Sequence, residues 1–241
     1  MSHDSAGVPW GGRQLTGTGF DDDSGAADAA LLDAVSRRDD ERALVAAVAA
    51  ARLIVPVVAA PTEVDDSGEL TVEKSTDMAV VTLTAPDGQR ALPVFSSVDA
   101  LTTWDPAARP SPVTSALAAQ AAVQERCDVM VLDLGSDQPV VLRPSMLWAL
   151  AQQREWVPAH EDPFVSQALE RATQDEPDVL GCSAEAGEPA GSGVLRVVLG
   201  LRPGLDQAQV QALATRVGER IATDGEARAR IDALAFAIRQ A

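Results

Sequence analysis

The chain has 241 residues, of which 46% are apolar and 23% charged, and its formal charge is −17 at neutral pH. That composition supplies apolar material for one large core or two small ones, and the negative excess excludes nonspecific binding to nucleic acid or anionic membranes. No apolar run approaches the roughly 20 residues that span a bilayer, and no apolar h-region opens the chain, so a cytoplasmic protein without a signal peptide is expected.

Residues 1–25 are rich in Gly, Ser, Thr and Asp and carry the acidic run Asp21-Asp22-Asp23. They read as a flexible acidic arm, with Trp10 and Phe20 as its two aromatic side chains. Helical patterning begins near Ala26, with Leu31, Leu32 and Val35 on one face. Asp39 or Asp40 caps a second helix bearing Leu44, Val45 and Val48. The continuous apolar run 52–60 reads as a strand buried on both faces. Its Pro56 has no N–H to donate, which predicts an edge or a bulge there.

Residues 61–77 are polar, with a turn at Asp65-Asp66-Ser67-Gly68. Strands are expected over 78–84 and 90–95, around the turn Asp87-Gly88. Ser96, with Asp99 three residues on, opens a short helix that ends by Asp105-Pro106 and Arg109-Pro110. An Ala-rich helix over 113–126 follows, then a hairpin of 128–134 with 139–142. Pro144 fits the first turn of a helix carrying Met146, Leu147 and Leu150.

The first domain, residues 26–158, closes near Trp156-Val157-Pro158. The second, 159–241, reads helix (163–172), strand (178–185), strand (193–200), helix and strand (231–238). Asp206 and Gln209 cap its long helix, which places Val210, Leu213, Val217 and Ile221 on one face. The order suggests one sheet with helices on one side. The fold class is therefore α/β (α+β): a mixed-sheet N-terminal domain with a smaller C-terminal sheet-plus-helices domain.

Several chemistries lack their residues. The two histidines, His3 and His160, form no paired zinc spacing, and no G-x-S-x-G elbow accompanies them. The glycines at 11, 12, 17 and 19 follow no strand and precede no G-K-[ST], so they make no phosphate cradle. Gly191-Ser192-Gly193 precedes a strand rather than a helix and reads as a flexible turn. Cys127 and Cys182 have no CxxC spacing and read as reduced structural thiols. No catalytic residue, metal site or cofactor is assigned.

Two surfaces stand out. Lys74, the single lysine, and Asp77 precede a strand whose hairpin partner ends in Phe95-Ser96-Ser97. Free amides at the helix start after Ser96 would suit a carboxylate or phosphate, with Trp104 and Arg109 as walls. The plainer reading makes Ser96 and Ser97 caps, Trp104 core and Lys74 a solvated charge. Trp156, among Gln152, Gln153, Arg154 and Glu155, reads either as core or as an exposed anchor for a partner.

Four long strings carry a resemblance. They are GRQLTGTGFDDDSGAADAAL in the arm, residues 73–113 (EKSTDMAVVTLTAPDGQRALPVFSSVDALTTWDPAARPSPV), residues 141–163 (VLRPSMLWALAQQREWVPAHEDP) and GVLRVVLGLRPGLDQAQVQALATRVGERI near the C-terminus. Together they resemble the actinobacterial SseB-like proteins, N-terminal and C-terminal domains both. The family takes its name from enhanced serine sensitivity in enteric bacteria. Membership implies a two-part cytoplasmic α/β protein and no established reaction, cofactor or catalytic residue, so no functional residue is carried over.

The expectation is a noncatalytic interaction or regulatory protein, whose first domain presents a groove and whose second self-associates or docks a partner protein. The alternative is a domain binding a small, amino-acid-like metabolite, and a third is an enzyme of undescribed type. Pocket depth separates the first two: a closed concavity suits a metabolite and an open apolar surface a protein.

Overall fold

Among the described residues, seven of the eight helices start at an Asp, Ser or Thr side chain that accepts from a backbone N–H of the first turn. In the computed structural model, which describes residues 19–20, 22–59 and 78–240, these caps are Asp28, Asp40, Ser97, Thr114, Asp162, Asp206 and Asp224. They open α1 (Ala29–Ser36), α2 (Glu41–Ala50), α3 (Val98–Trp104), α4 (Ser115–Gln124), α6 (Pro163–Thr173), α7 (Gln207–Thr223) and α8 (Gly225–Arg230). The expected capping box of Asp206 with Gln209 is complete, each side chain bonding the other's backbone N–H. The exception is α5 (Pro144–Ala151), which has no side-chain cap of its own.

The fold is α+β, as expected. Three short ladders are present: β2-β1-β5, β3-β4-β6-β7 and β10-β9-β8. Their strands are β1 (Arg52–Ala59), β2 (Met78–Val80), β3 (Leu83–Thr84), β4 (Arg90–Val94), β5 (Arg109–Thr114), β6 (Val129–Leu132), β7 (Val140–Leu142), β8 (Val179–Ala186), β9 (Val194–Leu201) and β10 (Ala233–Gln240). Reciprocal 2.8 Å bonds between Ile54 and Phe95 stitch the first two ladders together. Below them, α2, α4 and α5 bury Leu44, Val48, Leu53, Val55, Leu92, Met130 and Leu147 in one core. Above them, Ile54, Phe95 and Leu101 form a small second cluster.

Three differences from the sequence reading have clear causes. Pro56 lies in the middle strand of its ladder rather than at an edge. Its carbonyl accepts from Val81 N, so its missing N–H points the same way, off the β5 side. Opposite it stands Pro110, and Ile54 stands opposite Pro112. Both β5 prolines thus turn their missing donors to the outer edge, where a ladder does not need them. That is why 109–114 is an edge strand and the Ala-rich helix starts only at Ser115. The run 78–84 divides because β2 pairs with β1 and β3 with β4.

In the C-terminal half, β10 lies parallel to β9 and β8 antiparallel to it. Alternate residues Leu195, Val197, Leu199 and Leu201 bury against Val165 and Leu169 of α6 and Leu213, Val217 and Ile221 of α7. One sheet with helices on one side is therefore present. On the opposite face Val198 is buried as well, where Glu185 pairs with Arg196 and Arg239 on either flank. The turn after α6 is held by Glu176, which takes Arg216 Nε at 3.0 Å and Nη2 at 2.7 Å. Arg220 Nη1 lies 3.0 Å from the same carboxylate. The helix α8 has no apolar period beyond Ala227, so the sequence reading passed over it.

The two halves meet through polar groups. Asp232 accepts from Ser145 N at 2.7 Å and Ser145 Oγ at 2.9 Å, which gives α5 the cap it lacks. Arg143 Nε donates to the same carboxylate at 2.9 Å, and its other nitrogens reach Glu41 and the Gly191 carbonyl. Gly193 lies against this pair, at φ +75. A Cβ there would lie 2.4 Å from Arg143 Nε and 2.8 Å from Asp232 Oδ2, so the expected flexible turn is a fitted surface. Nearby, Arg230 Nη1 donates to Asp162 at 2.8 Å, and its guanidinium lies 4.8 Å from the ring centres of both Trp148 and Phe164.

Two outcomes follow from these contacts. Asp232→Ala strands Ser145 N and half of Arg143, and urea unfolding should show about 3 kcal/mol lost in one transition common to both halves. Glu176 titrates below the ordinary carboxylate range because Arg216 bonds its charged form. Its contribution is therefore present above the unfolded value and fades as the pH falls through the lowered one. Thermal melts of Glu176→Gln should lie below wild type near neutrality and converge with it once the pH falls below the ordinary carboxylate range, a comparison that checks the sign.

Candidate functional site

Lys74 and Asp77, like Trp10, lie outside the described residues. The remaining sequence-selected residues fall in two places. Phe95 is fully buried, and its ring centre lies 5.3 Å from that of half-exposed Trp104. Trp104 also packs on Gly135 in the β6–β7 turn, where a Cβ would stand 3.4 Å from its ring. The cap of α3 is Ser97, which accepts from Ala100 N, and not Ser96 with Asp99 as the sequence suggested; Ser96 is buried, one residue before the cap.

The amides around this helix start already have partners. Ser96 N donates to Asp133 Oδ1 at 2.7 Å, Val98 N to the Gly25 carbonyl at 2.9 Å and Ala100 N to Ser97 Oγ at 3.0 Å. Residues 23–26 are drawn across this corner by Arg52, which bonds Asp23, the Ala26 carbonyl and the Ser96 carbonyl. That contact, with the Gly25 amide, holds the Asp23 carboxyl below its usual range. Arg109 is exposed at the start of β5. The corner is thus internally bonded around Phe95, with Arg109 on its outside.

Trp156 lies elsewhere, at the junction. It is 6% exposed, its Nε1 donates to Ser145 Oγ at 3.0 Å, and Arg143 lies 5.9 Å from its ring centre. The indole is therefore core, yet it borders two concavities. One is an open groove of about 780 Å³ between α2, the start of α4 and residues 153–156. Its apolar wall is Ala43, Ala46, Ala49 and Ala50, exposed along one side of α2, with Ala116, Leu150 and Trp156; Asp40, Arg42, Arg154 and Glu155 are its charged lining. Arg42 and Glu155 bridge its rim. The other is a hollow of about 330 Å³ between the halves, lined by Glu41, Trp156, His160, Asp232, Arg230 and the 186–191 loop.

Neither thiol is activated. Burial raises both Cys127 and Cys182 above the ordinary cysteine value, against the nearby Arg90 charge in the case of Cys127. Among the described residues, no three His, Cys, Asp or Glu side chains converge to hold a metal ion. Among the same residues, no helix is long and apolar enough to cross a membrane.

A family model described as the SseB protein N-terminal domain matches residues 28–149, just over half of the chain. The chain belongs to the SseB family. The matched segment runs from the cap of α1 into α5, so this SseB region contains the walls of the groove on α2 and α4 but not Trp156. Comparison with curated proteins and with solved structures finds no match in either.

Sequence reading missed Arg143, Ser145, Asp232 and the alanine row of α2. The alanines are spaced three and four apart, a visible helical stripe, but the sequence does not say that nothing packs on it. Asp232 had no local signal, because the helix it caps lies 87 residues away.

Proposed function

We propose that this SseB-family chain is a noncatalytic protein-interaction module of the cytoplasm, and that its N-terminal half receives an amphipathic helix of a partner in the α2–α4 groove. The observation that carries the reading is the groove itself: open, with the α2 alanines, Leu150 and Trp156 among its lining, and with Arg42 and Glu155 paired across it. Small side chains let another helix approach closely, and an apolar floor with a polar rim is what a helix-in-groove partner requires. Ala46→Arg fills the groove from an exposed helical position, so it should change stability by less than about 0.5 kcal/mol. Proteins retained by the wild-type chain from its native lysate should be absent from the Ala46→Arg eluate. Equal recovery on both would discard the groove.

A small amino-acid-like metabolite is the second reading, and the hollow between the halves supports it. Carboxylates of Glu41 and Asp232 and the guanidinium of Arg230 line one concavity there. Arg230 Nε is buried with no partner among the described residues. Its 330 Å³ is at the lower end of ligand-sized cavities. The corner of Phe95, Ser96, Ser97, Trp104 and Arg109, with Lys74 and Asp77 before it, is a second seat for the same ligand class, weaker because its amides are already bonded. A thermal-shift series with serine and other amino acids should add about 2.7 kcal/mol at 100 times the dissociation constant. The shift should vanish in His160→Ala if the hollow is the seat. No shift with any amino acid would remove this reading.

A further inference from the structure

Most strand edges in the described structure are short or obstructed. The outer strand β5 carries Pro110 and Pro112, β8 is broken by a bulge between Val179 and Gly181, and β2, β3 and β7 have two or three residues each. The outer edge of β10 has none of these devices. It runs for eight residues, contains no proline or glycine, and carries one charge, Arg239, which is paired to Glu185 on the open face. Among the described residues, nothing hydrogen-bonds to its outer side. A free edge of this kind recruits another strand.

We propose that β10 pairs antiparallel with β10 of a second copy across a two-fold axis at Phe236, joining two three-stranded sheets into one of six. The register follows from the side chains. Leu234, Phe236 and Ile238 share the helix-covered face with Leu195, Val197 and Leu199, and a pairing that keeps this face continuous must match like parity with like. Centred on Phe236, it sets Phe236 against its own copy, Ile238 against Leu234 and Ala235 against Ala237.

The fit beside the strand favours a second copy over an unrelated peptide. Ile238 is 40% exposed on that face. Leu234, the residue it meets in the partner, borders a hollow of about 180 Å³ lined also by Gly218, Ile221, Ala222, Ile231 and Ala233, together with the charged Arg228 and Asp232. Each copy thus presents one exposed isoleucine and one hollow lined mostly by apolar side chains, and the two-fold brings both pairs together. The strip is about 26 Å long, shorter than a permanent dimer interface uses, so association is reversible and concentration-dependent.

Sedimentation velocity of the full chain from about 1 μM to about 500 μM reads this directly, in the range where small interfaces associate. Wild type should pass from monomer to dimer. Ile238→Lys and Ala222→Glu, both at exposed positions, should each remain monomeric, and the double variant should dimerise again as Lys meets Glu across the axis. Ala46→Arg should dimerise like wild type, which separates this contact from the groove. A wild-type chain that stays monomeric throughout overturns the proposal. So does a dimer that persists in Ile238→Lys, or a double variant that does not re-associate.

Discussion

The carboxylate of Asp232 closes the molecule. It sits where the C-terminal sheet begins its last strand, yet it caps a helix of the N-terminal half and fixes Arg143, which in turn holds Glu41 at the start of α2. A helix that starts at Pro144 needs an outside acceptor for its first amides, because proline supplies the geometry of the first turn but no cap. Here that acceptor is 87 residues away in sequence. The two halves therefore share hydrogen bonds that neither completes alone, and the glycine at 193 exists in that shape because two charged side chains lie against it.

The same contact reaches both concavities that border Trp156. Ser145 Oγ donates to Asp232 and accepts from the indole of Trp156, and Trp156 forms the floor of the groove and one side of the hollow. The C-terminal half thus sets the position of a residue that lies in a concavity walled by the N-terminal half. Polar groups at this seam are bonded to one another in a partly dry setting, where leaving one unpaired is costly and position is consequently well defined.

Electrostatics and edge protection work together elsewhere. Acidic groups are in excess over the whole chain, and arginines are used locally to neutralise the buried ones, Glu176, Asp162 and Asp232. Prolines, a bulge and brevity blunt the other strand edges. The outer edge of β10 has no such device, and its apolar row continues the core of the C-terminal sheet.

Much was legible in the sequence because its causes are local. Caps such as Asp40 and Asp206, the apolar period of α7 and the continuous run of β1 are decided by neighbours within a turn or a strand, so most helices and strands and the α+β class could be read directly. The places where reading failed are those where a distant partner decides. Pro56 belongs in a middle strand only because Pro110 and Val81 stand where they do. Residues 109–114 extend as an edge because β1 pairs with them, although an Ala-rich helix follows at once. Trp156 is core, and the alanines of α2 are uncovered, through packing between segments far apart in the chain. The sequence determined the elements and the family; the tertiary structure alone decided which carboxylate caps which helix, and which apolar surfaces were left open.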